Sequence, residues 1–381
     1  MTVTSPSADA SDRGSTNPMI EFRDVTKRYG TLVANDHVSF TVERGEMLTL
    51  LGPSGCGKTT ALRCLTGYSR PDEGRIFIDG RDVTDLPTYK RNLGMVFQNF
   101  ALFPHMTAFG NVEFPLKVRS VPTAERKERA EAALRMVRLD QLATRFPRQM
   151  SGGQQQRVGL ARALAYEPSV LLLDEPLSNL DAKLREEMRF EIKELQARFG
   201  ITAVYVTHDQ SEALALSDRV AVMNAGVVEQ LGTPEEIYEA PRSAFVADFI
   251  GLSNFLSGRL VGRDGELSRV EVGERTVLAR PNDAVSTGDV LVFVRPNDIH
   301  LSAAGDASAA ARSDAPVGSA PENEFDGTVE QVTYLGDRMD YRVRLESGDV
   351  VRVQSEARFG EGAGIRARFR PDHARVMPPR R

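Results

Sequence analysis

The stretch Met47-Leu48-Thr49-Leu50-Leu51-Gly52-Pro53-Ser54-Gly55-Cys56-Gly57-Lys58-Thr59 decides the fold of the first part of this chain. Its opening apolar run predicts a short buried strand. The loop that follows fits the pattern G-x-x-x-x-G-K-[ST] and leads into a helical pattern at 59–66. Such a loop curls so that its N–H groups point at phosphates, and the helix N-terminus adds a favourable dipole. The loop alone predicts a nucleoside triphosphate site and nothing narrower.

Individual residues of this loop have expected roles. We expect Lys58 to reach the β- and γ-phosphates and the Thr59 hydroxyl to hold Mg²⁺. Cys56 is interpreted as a small filler of the loop, and Cys64, on the following helix, as a core residue. The residues predicted to contact the nucleotide here are Gly52, Pro53, Ser54, Gly55, Cys56, Gly57, Lys58, Thr59 and Thr60.

A second apolar run, Val170–Leu173, ends in two adjacent carboxylates, Asp174 and Glu175. Ligands of parallel α/β sheets bind at the carboxyl ends of the strands. Asp174 suits an outer-sphere contact to Mg²⁺. Glu175, which points the other way, is placed to orient or deprotonate an attacking water.

Strand-like runs alternate with helical patterns from residue 19 to about 249. A third strand is predicted at 203–206, preceded by a long helix at 184–199. This alternation predicts an α/β fold with a mainly parallel sheet covered by helices, and residues 22–43 predict an antiparallel flank.

The pattern changes after residue 251. Period-two segments at 328–332, 341–345 and 350–353, with a hairpin turn at Ser347-Gly348-Asp349, predict a small all-β barrel, similar to an oligonucleotide-binding (OB) barrel. The expected domains are therefore 19–250 and 251–381. A disordered tail is expected at 1–18 and a mobile loop at about 305–323, where Ala, Ser, Pro and Asp dominate.

Composition narrows the class of protein. The 381 residues are 41% hydrophobic and 27% charged, with a net charge of −5, so a nucleic-acid partner is not expected. The two cysteines form no disulfide framework. No apolar stretch approaches the ~18–20 residues that span a bilayer, and no signal peptide is visible. We expect a cytoplasmic protein whose membrane role, if any, comes through a partner.

The segment Met150-Ser151-Gly152-Gly153-Gln154 supplies a hydroxyl, two glycines and a helix start, which together form a second anion cradle. It resembles the signature Leu-Ser-Gly-Gly-Gln of the ATP-binding-cassette (ABC) transporter ATPases, with Met as a conservative first residue. The resemblance implies ATP with Mg²⁺, and a head-to-tail homodimer or paired cassette. Each ATP then lies between one copy's phosphate loop and Ser151, Gly152, Gly153 and Gln154 of the other copy.

The other family motifs occur in order, and the resemblance assigns their roles. Tyr29 matches the residue that stacks on adenine, and Gln98 matches the glutamine that contacts Mg²⁺ and water. Asp181 lies in the loop that reaches across the dimer, and His208 matches the histidine that binds the γ-phosphate. A lone Tyr is more often a packing residue, and a single His is a weak signal. The roles assigned to Tyr29 and His208 therefore rest on their positions in the order of the family motifs. A helical subdomain is implied at about 90–165.

A cassette without its own membrane span implies docking on separate integral-membrane permease subunits, as in importers that receive cargo from a solute-binding protein. The expected location is peripheral, at the cytoplasmic face of the inner membrane. The apolar stretch 100–106 is predicted to line the permease groove, with ordinary core packing as the alternative. The strands around 294–299 resemble the accessory domain of polyamine, iron(III), maltose, glycerol-phosphate and sulfate importers. Residues 331–336 look most like the spermidine/putrescine group, with iron(III) second.

Three other classes of function fit part of this pattern. A chromosome-maintenance or repair ATPase needs a long coiled coil between Lys58 and Ser151, and no sustained heptads occur there. A cassette-type translation factor carries two cassettes and a basic linker, whereas this chain has one cassette and a net charge of −5. An oligonucleotide-binding role for the C-terminal barrel is suggested by its arginines, but interleaved acidic residues and scarce aromatics weigh against it.

Overall fold

The computed structural model describes residues 17–282, 285–304 and 323–379. Its contacts divide the chain into two compact units, 1–234 and 235–381, which we describe separately as the N-terminal and C-terminal units. The predicted tail and the predicted loop at about 305–323 lie outside the described residues, except at 17–18 and 323. The predicted domain boundary after residue 250 stays a prediction.

Within residues 17–234, the N-terminal unit contains ten strands and six α-helices. The strands are β1 (Ile20–Tyr29), β2 (Leu32–Val42), β3 (Met47–Leu51), β4 (Glu73–Ile78), β5 (Arg81–Asp82), β6 (Leu93–Val96), β7 (Val170–Asp174), β8 (Ala203–Thr207), β9 (Arg219–Asn224) and β10 (Val227–Gly232). The helices are α1 (Lys58–Thr66), α2 (Ala108–Val118), α3 (Thr123–Met136), α4 (Gly152–Leu164), α5 (Ala182–Phe199) and α6 (Gln210–Leu216).

A six-stranded sheet in the order β10-β9-β3-β8-β7-β6 forms the centre of this unit. Its pairs from β6 to β9 are parallel, and only β10 runs antiparallel. Successive residues of β7 point to opposite faces: Leu171 and Leu173 join one core, and Val170 and Leu172 join the other. Both faces are therefore covered, which explains the uninterrupted apolar runs and confirms the predicted mainly parallel sheet.

The predicted antiparallel flank is a second sheet, in the order β2-β1-β4-β5. It shares a hydrophobic core with α1. On the other face of the central sheet, α4 packs against α2, α3 and β6. These three helices lie within the range 90–165 in which the sequence predicts a helical subdomain.

In its described residues, the C-terminal unit consists of strands, two short α-helices at its start and the short 3-10 helices Pro296–Asp298 and Pro371–His373. Its elements are α7 (Pro234–Glu239), α8 (Ala244–Phe249), β11 (Asn254–Asp264), β12 (Leu267–Val272), β13 (Arg275–Ala279), β14 (Gly288–Val294), β15 (His300–Ala303), β16 (Asn323–Tyr334), β17 (Met339–Leu345), β18 (Val350–Ser355), β19 (Gly364–Phe369) and β20 (Ala374–Met377).

Two antiparallel five-stranded sheets, β13-β12-β11-β14-β20 and β15-β19-β16-β17-β18, share one hydrophobic core. The predicted turn joins β17 to β18, where Gly348 has φ 88° and the Leu345 N–H donates to the Asp349 carbonyl over 2.9 Å. The predicted small all-β domain is confirmed. Among the described residues, no helix combines the length and apolar sequence that a membrane crossing needs.

Candidate active site

Four of the predicted motifs of the N-terminal unit meet at the carboxyl edge of the central sheet. The order β3-β8-β7-β6 places four strand ends side by side. The phosphate loop follows β3, His208 follows β8, Asp174 ends β7 and Gln98 follows β6. Parallel strands bind ligands at this edge, so the topology brings four separate motifs to one place.

The phosphate loop is held from behind by neighbouring elements. Gly57 has φ 107°, and a Cβ there would lie 2.4 Å from the Ala34 carbonyl oxygen. The fully buried Asn35 side chain on β2 donates from Nδ2 to the Gly57 carbonyl over 3.2 Å. The Gly226 N–H donates to the Cys56 carbonyl over 3.1 Å. These bonds fix the outer side of the loop; the Cys56 N–H donates to the Pro53 carbonyl over 3.3 Å, and the other N–H groups of such a loop are suited to binding phosphate.

Lys58 is preorganised inside the loop. Its side chain is 5% exposed, and Nζ donates to the carbonyls of Gly52 (2.7 Å) and Pro53 (2.9 Å). Cys56 is buried, with Sγ 3.7 Å from the same Nζ, as expected for a loop filler, and Cys64 is fully buried as predicted. Thr59 is exposed on the first turn of α1. An ammonium group bonded only to neutral carbonyls gains from exchanging them for phosphate oxygens.

Asp174 is a half-buried carboxyl group at the end of β7. Burial, followed by the charge of Glu175, raises its pKa, while Arg63 and Lys58 act in the opposite direction. Among the described residues, no group of three or more His, Cys, Asp or Glu side chains forms a metal site. Mg²⁺ uses few protein oxygens and keeps water and phosphate ligands, so Asp174, Thr59 and Gln98 form a fitting donor set.

Glu175 and His208 meet beside this carboxyl group. Glu175 has φ 45°, a left-handed conformation that costs a non-glycine residue about 1–2 kcal/mol. Its N–H donates to the Val206 carbonyl over 2.9 Å, and its Oε2 lies 3.2 Å from Nδ1 of His208. Strain of this kind at a strand end is typical of functional positions. A carboxylate held against an imidazole is suited to orienting a water and taking its proton.

Ser151 caps α4 and is not brought to its own phosphate loop. Its Oγ accepts from the Gln154 N–H over 3.4 Å, and the Ser151 N–H donates to Gln154 Oε1 over 3.0 Å. α1, which follows the phosphate loop, belongs to the hydrophobic core on one face of the central sheet, and α4 belongs to the core on the other face, so the sheet lies between the helices that follow the two motifs. Gly152 and Gly153 follow Ser151 in α4, where a Cβ on Gly153 would lie 2.8 Å from Leu184.

Two further predicted residues lie at element ends. Tyr29 ends β1, its side chain is 46% exposed, and its hydroxyl lies 3.3 Å from Ser69 Oγ. Asp181 caps α5 by accepting from the Leu184 N–H over 3.0 Å.

Three further side chains, not predicted from the sequence, support the site. Asn179 donates to the Gln98 carbonyl over 2.9 Å, and Arg162 of α4 donates to the Phe100 carbonyl over 2.7 Å. Glu212, 3% exposed, accepts from Thr207 immediately before His208 over 2.8 Å. A polar residue in an apolar helical pattern is the available signal for Glu212, whereas Arg162 and Asn179 bond to backbone and leave no pattern.

Comparison with known protein families agrees with this geometry. The chain matches the ABC transporter family over residues 35–178 and the TOBE domain family over residues 292–377. The first match runs from β2 through the phosphate loop, Gln98, Ser151 and Glu175. The second covers most of the strands of the C-terminal unit.

Curated relatives match nearly the whole chain. Spermidine/putrescine import ATP-binding protein PotA 2 of Pseudomonas aeruginosa is 50% identical, over 95% of this chain and 99% of the relative. Fe(3+) ions import ATP-binding protein FbpC of Agrobacterium fabrum is 47% identical, over 88% and 90%.

Solved cassettes share the fold of the N-terminal part. A dimeric ATP-binding cassette in a post-hydrolysis state, bound to ADP and Pi, is 36% identical with a TM-score of 0.51, covering 57% of this chain and 99% of that one. The cassette cbiO1 of Clostridium perfringens is 29% identical with a TM-score of 0.55, covering 58% and 90%.

The resemblance inferred from the sequence motifs is therefore confirmed, as is ATP with Mg²⁺ as the implied cofactor pair. With a P-loop cassette, a C-terminal TOBE domain and full-length relatives at 50% identity, the chain belongs to the ATP-hydrolysing, ATP-binding subunits of ABC transporters.

Proposed function

We propose that this chain drives polyamine uptake as the ATPase of an ABC importer, working as a head-to-tail pair on separate permease subunits. The observation that carries the pairing is the division of the site. Lys58, Glu175 and His208 gather at one sheet edge, while Ser151 caps α4, which packs on the opposite face of the sheet from α1. A second copy can supply the missing cradle.

In the proposed closed pair, residues 52–60 and Lys58 bind the phosphates, and Tyr29 stacks on the adenine. Ser151, Gly152, Gly153 and Gln154 of the second copy cover the γ-phosphate, and Asp181 lies at the crossing loop. When bound, Mg²⁺ would be held by Thr59, Gln98 and Asp174 and would offset charge on the phosphates.

Hydrolysis needs positioning more than covalent chemistry. Glu175 accepts a proton from a water molecule while the oxygen of that water bonds to the γ-phosphorus. At the same time the bond between the γ-phosphorus and the β–γ bridging oxygen breaks. ADP keeps that electron pair. His208, whose Nδ1 lies 3.2 Å from Glu175 Oε2, is placed to donate its ring N–H to the γ-phosphate. ATP favours the closed pair and its hydrolysis products favour the open one, which is the source of work.

A groove beside α4 supports the docking of a permease. It encloses about 410 Å³ and is lined by apolar and aromatic side chains with two arginines. Phe103 and Ala101, from the stretch predicted to line it, are among the lining residues, whereas Phe100 is buried in the core. An amphipathic permease helix fits this chemistry. The proposed location is peripheral, at the cytoplasmic face of the inner membrane.

The nature of the cargo rests on the relatives, because the ATPase does not contact it. A polyamine importer ATPase at 50% identity favours spermidine or putrescine, and an iron(III) importer ATPase at 47% makes Fe³⁺ the second candidate. Both importer classes receive cargo from a solute-binding protein. Uptake of labelled spermidine and Fe³⁺ by cells lacking this gene separates the two: loss of iron uptake alone contradicts the polyamine assignment.

The Glu175→Gln variant tests the catalytic assignment. We expect it to bind ATP, to form a stable ATP-dependent dimer by light scattering, and to lose nearly all turnover. Glu187→Gln, at an exposed position on α5, is the matched control and keeps wild-type turnover. Rapid ATP hydrolysis by Glu175→Gln contradicts the role given to Glu175.

A further inference from the structure

The C-terminal unit contains a pocket of about 480 Å³ that none of the predicted site residues lines. Its floor is formed by β16, β17 and β18, in which Gln331, Arg342 and Arg352 stand opposite one another in register. Arg342 lies between Tyr341 and Val343, which are buried in the hydrophobic core, so its own side chain points away from that core. The pocket therefore belongs to the outer side of this sheet.

One wall of the pocket is held in place by a buried amide. Ser253 and Asn254, where β11 begins, line the pocket beside β18, which is an edge strand. The Asn254 side chain donates from Nδ2 to the Arg352 carbonyl over 2.8 Å, and its Oδ1 accepts from the Arg352 N–H over 2.7 Å. These two bonds tie β18 to a strand of the other sheet. The pocket is thus preformed, as small-molecule sites usually are.

The arginines on this side of the sheet differ in how their charges are balanced. Arg352 donates from Nε to Asp340 Oδ1 over 2.8 Å, and Arg344 donates from Nε to Glu330 Oε1 over 2.6 Å. Across the part of the chain that the structure describes, no carboxylate lies within ion-pair distance of Arg342. The pocket lining carries two guanidinium groups and one carboxylate group, which leaves one positive charge in excess.

This arrangement favours an anion at Arg342. Like charges directly opposite one another in antiparallel strands destabilise a sheet, and Arg342 faces Arg352 in this way. An anion beside Arg342 removes that cost, because the planar fork of a guanidinium donates two parallel hydrogen bonds to a carboxylate or a phosphate. Gln331 and Thr333 of the neighbouring β16 also line the pocket, and their amide and hydroxyl groups are able to donate to the same anion.

We propose that this pocket binds a small organic anion, whose phosphate or carboxylate group is held by the Arg342 guanidinium, the Gln331 amide and the Thr333 hydroxyl. The volume of about 480 Å³ is typical of small-molecule sites and leaves room for a carbon skeleton beyond the anionic group. Val350, whose side chain is 36% exposed, offers apolar surface to that skeleton. The site lies within one copy of the chain and needs neither permease nor cargo, so it stands independently of the proposed function.

Hydrogen exchange of the amides at 339–355, measured in the purified full chain, tests this site. Inorganic phosphate, glucose 6-phosphate and citrate are titrated at constant ionic strength, and the local readout excludes anion binding at the phosphate loop. We expect glucose 6-phosphate or citrate to slow this exchange at lower concentration than inorganic phosphate, because the skeleton also contacts the pocket. Arg342→Gln should weaken the binding about tenfold or more, because two charge-assisted hydrogen bonds are lost.

Arg344→Gln is the matched control. It removes the same charge from the same strand and the same side of the sheet, but Arg344 is bonded to Glu330 and does not line the pocket. Its anion binding should stay within about twofold of wild type, because salt screens an exposed charge. Arg342 and Arg344 are both exposed, so neither substitution disturbs the core.

The order of the probes identifies the anionic group. Tighter binding of glucose 6-phosphate than of citrate assigns a phosphate to the ligand, and the reverse order assigns a carboxylate; either result supports the proposal. Equal weakening in Arg342→Gln and Arg344→Gln reduces the effect to general charge attraction and overturns it. Unchanged exchange at 339–355 with all three anions, or an effect of inorganic phosphate alone, also overturns it.

Discussion

Alanine substitutions at three glycines of the phosphate loop distinguish the cost of backbone strain from the cost of a steric clash. We expect the three substitutions to lower the stability of the protein by different amounts. Gly55 has φ 80° and open space around it, so Gly55→Ala introduces strain alone. Gly52 has no left-handed φ, but a Cβ there would lie 2.3 Å from the Met223 carbonyl oxygen, so Gly52→Ala introduces a clash alone. Gly57 combines φ 107° with a Cβ 2.4 Å from the Ala34 carbonyl oxygen.

The expected losses of stability follow from these geometries. Left-handed strain costs about 1–2 kcal/mol, which is the loss expected for Gly55→Ala. Forcing a methyl group into close-packed backbone costs about 1–3 kcal/mol, the range expected for Gly52→Ala. Gly57→Ala carries both penalties and should lose about 3 kcal/mol or more. The Asn35 bond to the Gly57 carbonyl is broken as well, because the Cβ would lie 2.6 Å from Nδ2.

Hydrogen exchange of the β3 amides, measured without nucleotide, reports these losses as free energies of opening of the N-terminal unit. ATP affinity is measured separately, because an added methyl group also affects the phosphates. Equal losses for Gly57→Ala and Gly55→Ala would refute the contact with β2, and a Gly57→Ala variant as stable as wild type would refute the loop geometry altogether.

Three further predictions concern buried groups. Asp174→Asn should raise the melting temperature of the nucleotide-free protein while abolishing Mg²⁺-dependent hydrolysis. The pKa of Asp174 is higher in the folded protein than its ordinary value of 3.8, so the wild type loses stability as the pH rises from 3.8 through the folded-state pKa. The variant has no carboxyl group to ionise and does not lose this stability. A lower melting temperature for the variant contradicts this. Burial raises the pKa of Cys64 to about 11, so only about a thousandth of the Cys64 side chains are thiolate at pH 8. Iodoacetamide should therefore label Cys64 only after unfolding. Labelling of Cys64 in the native protein contradicts its burial. Arg295→Met should destabilise the C-terminal unit by about 3 kcal/mol or more, because Arg295 donates to three carbonyls and the Ser253 hydroxyl; unchanged exchange of the β14 amides contradicts it.

The fold was predictable where a local pattern and a motif coincide. The apolar run of β3 leads directly into a loop whose glycines and Lys58 have fixed spacing, so strand, loop and helix follow together. The same holds for β7, where Asp174 and Glu175 end an apolar strand. The hairpin at Gly348 was equally visible, because alternation on both sides fixes the turn.

The supporting contacts were not predictable, since they join backbone groups to side chains far away in sequence. Asn179 and the Gln98 carbonyl are 81 positions apart, and Asn35 and the Gly57 carbonyl are 22 apart. Phe100 adopts a left-handed conformation with φ 55°, and the sequence has no signal for it, because the usual sign of such a turn is glycine and Phe stands there instead. The family resemblance predicted a site shared between two copies of the chain. Within one copy, Ser151 is separated from β3 and the phosphate loop, which is the physical reason for the sharing.

A mixing experiment tests the shared site most directly. Lys58→Ala damages the phosphate loop and Ser151→Arg blocks the signature, and each variant alone should be close to inactive. In an equal mixture, half of the pairs are mixed, and each mixed pair has both defects in one site and an intact second site, so about a quarter of wild-type ATPase activity should return. A mixture as inactive as its components contradicts a site shared between two copies.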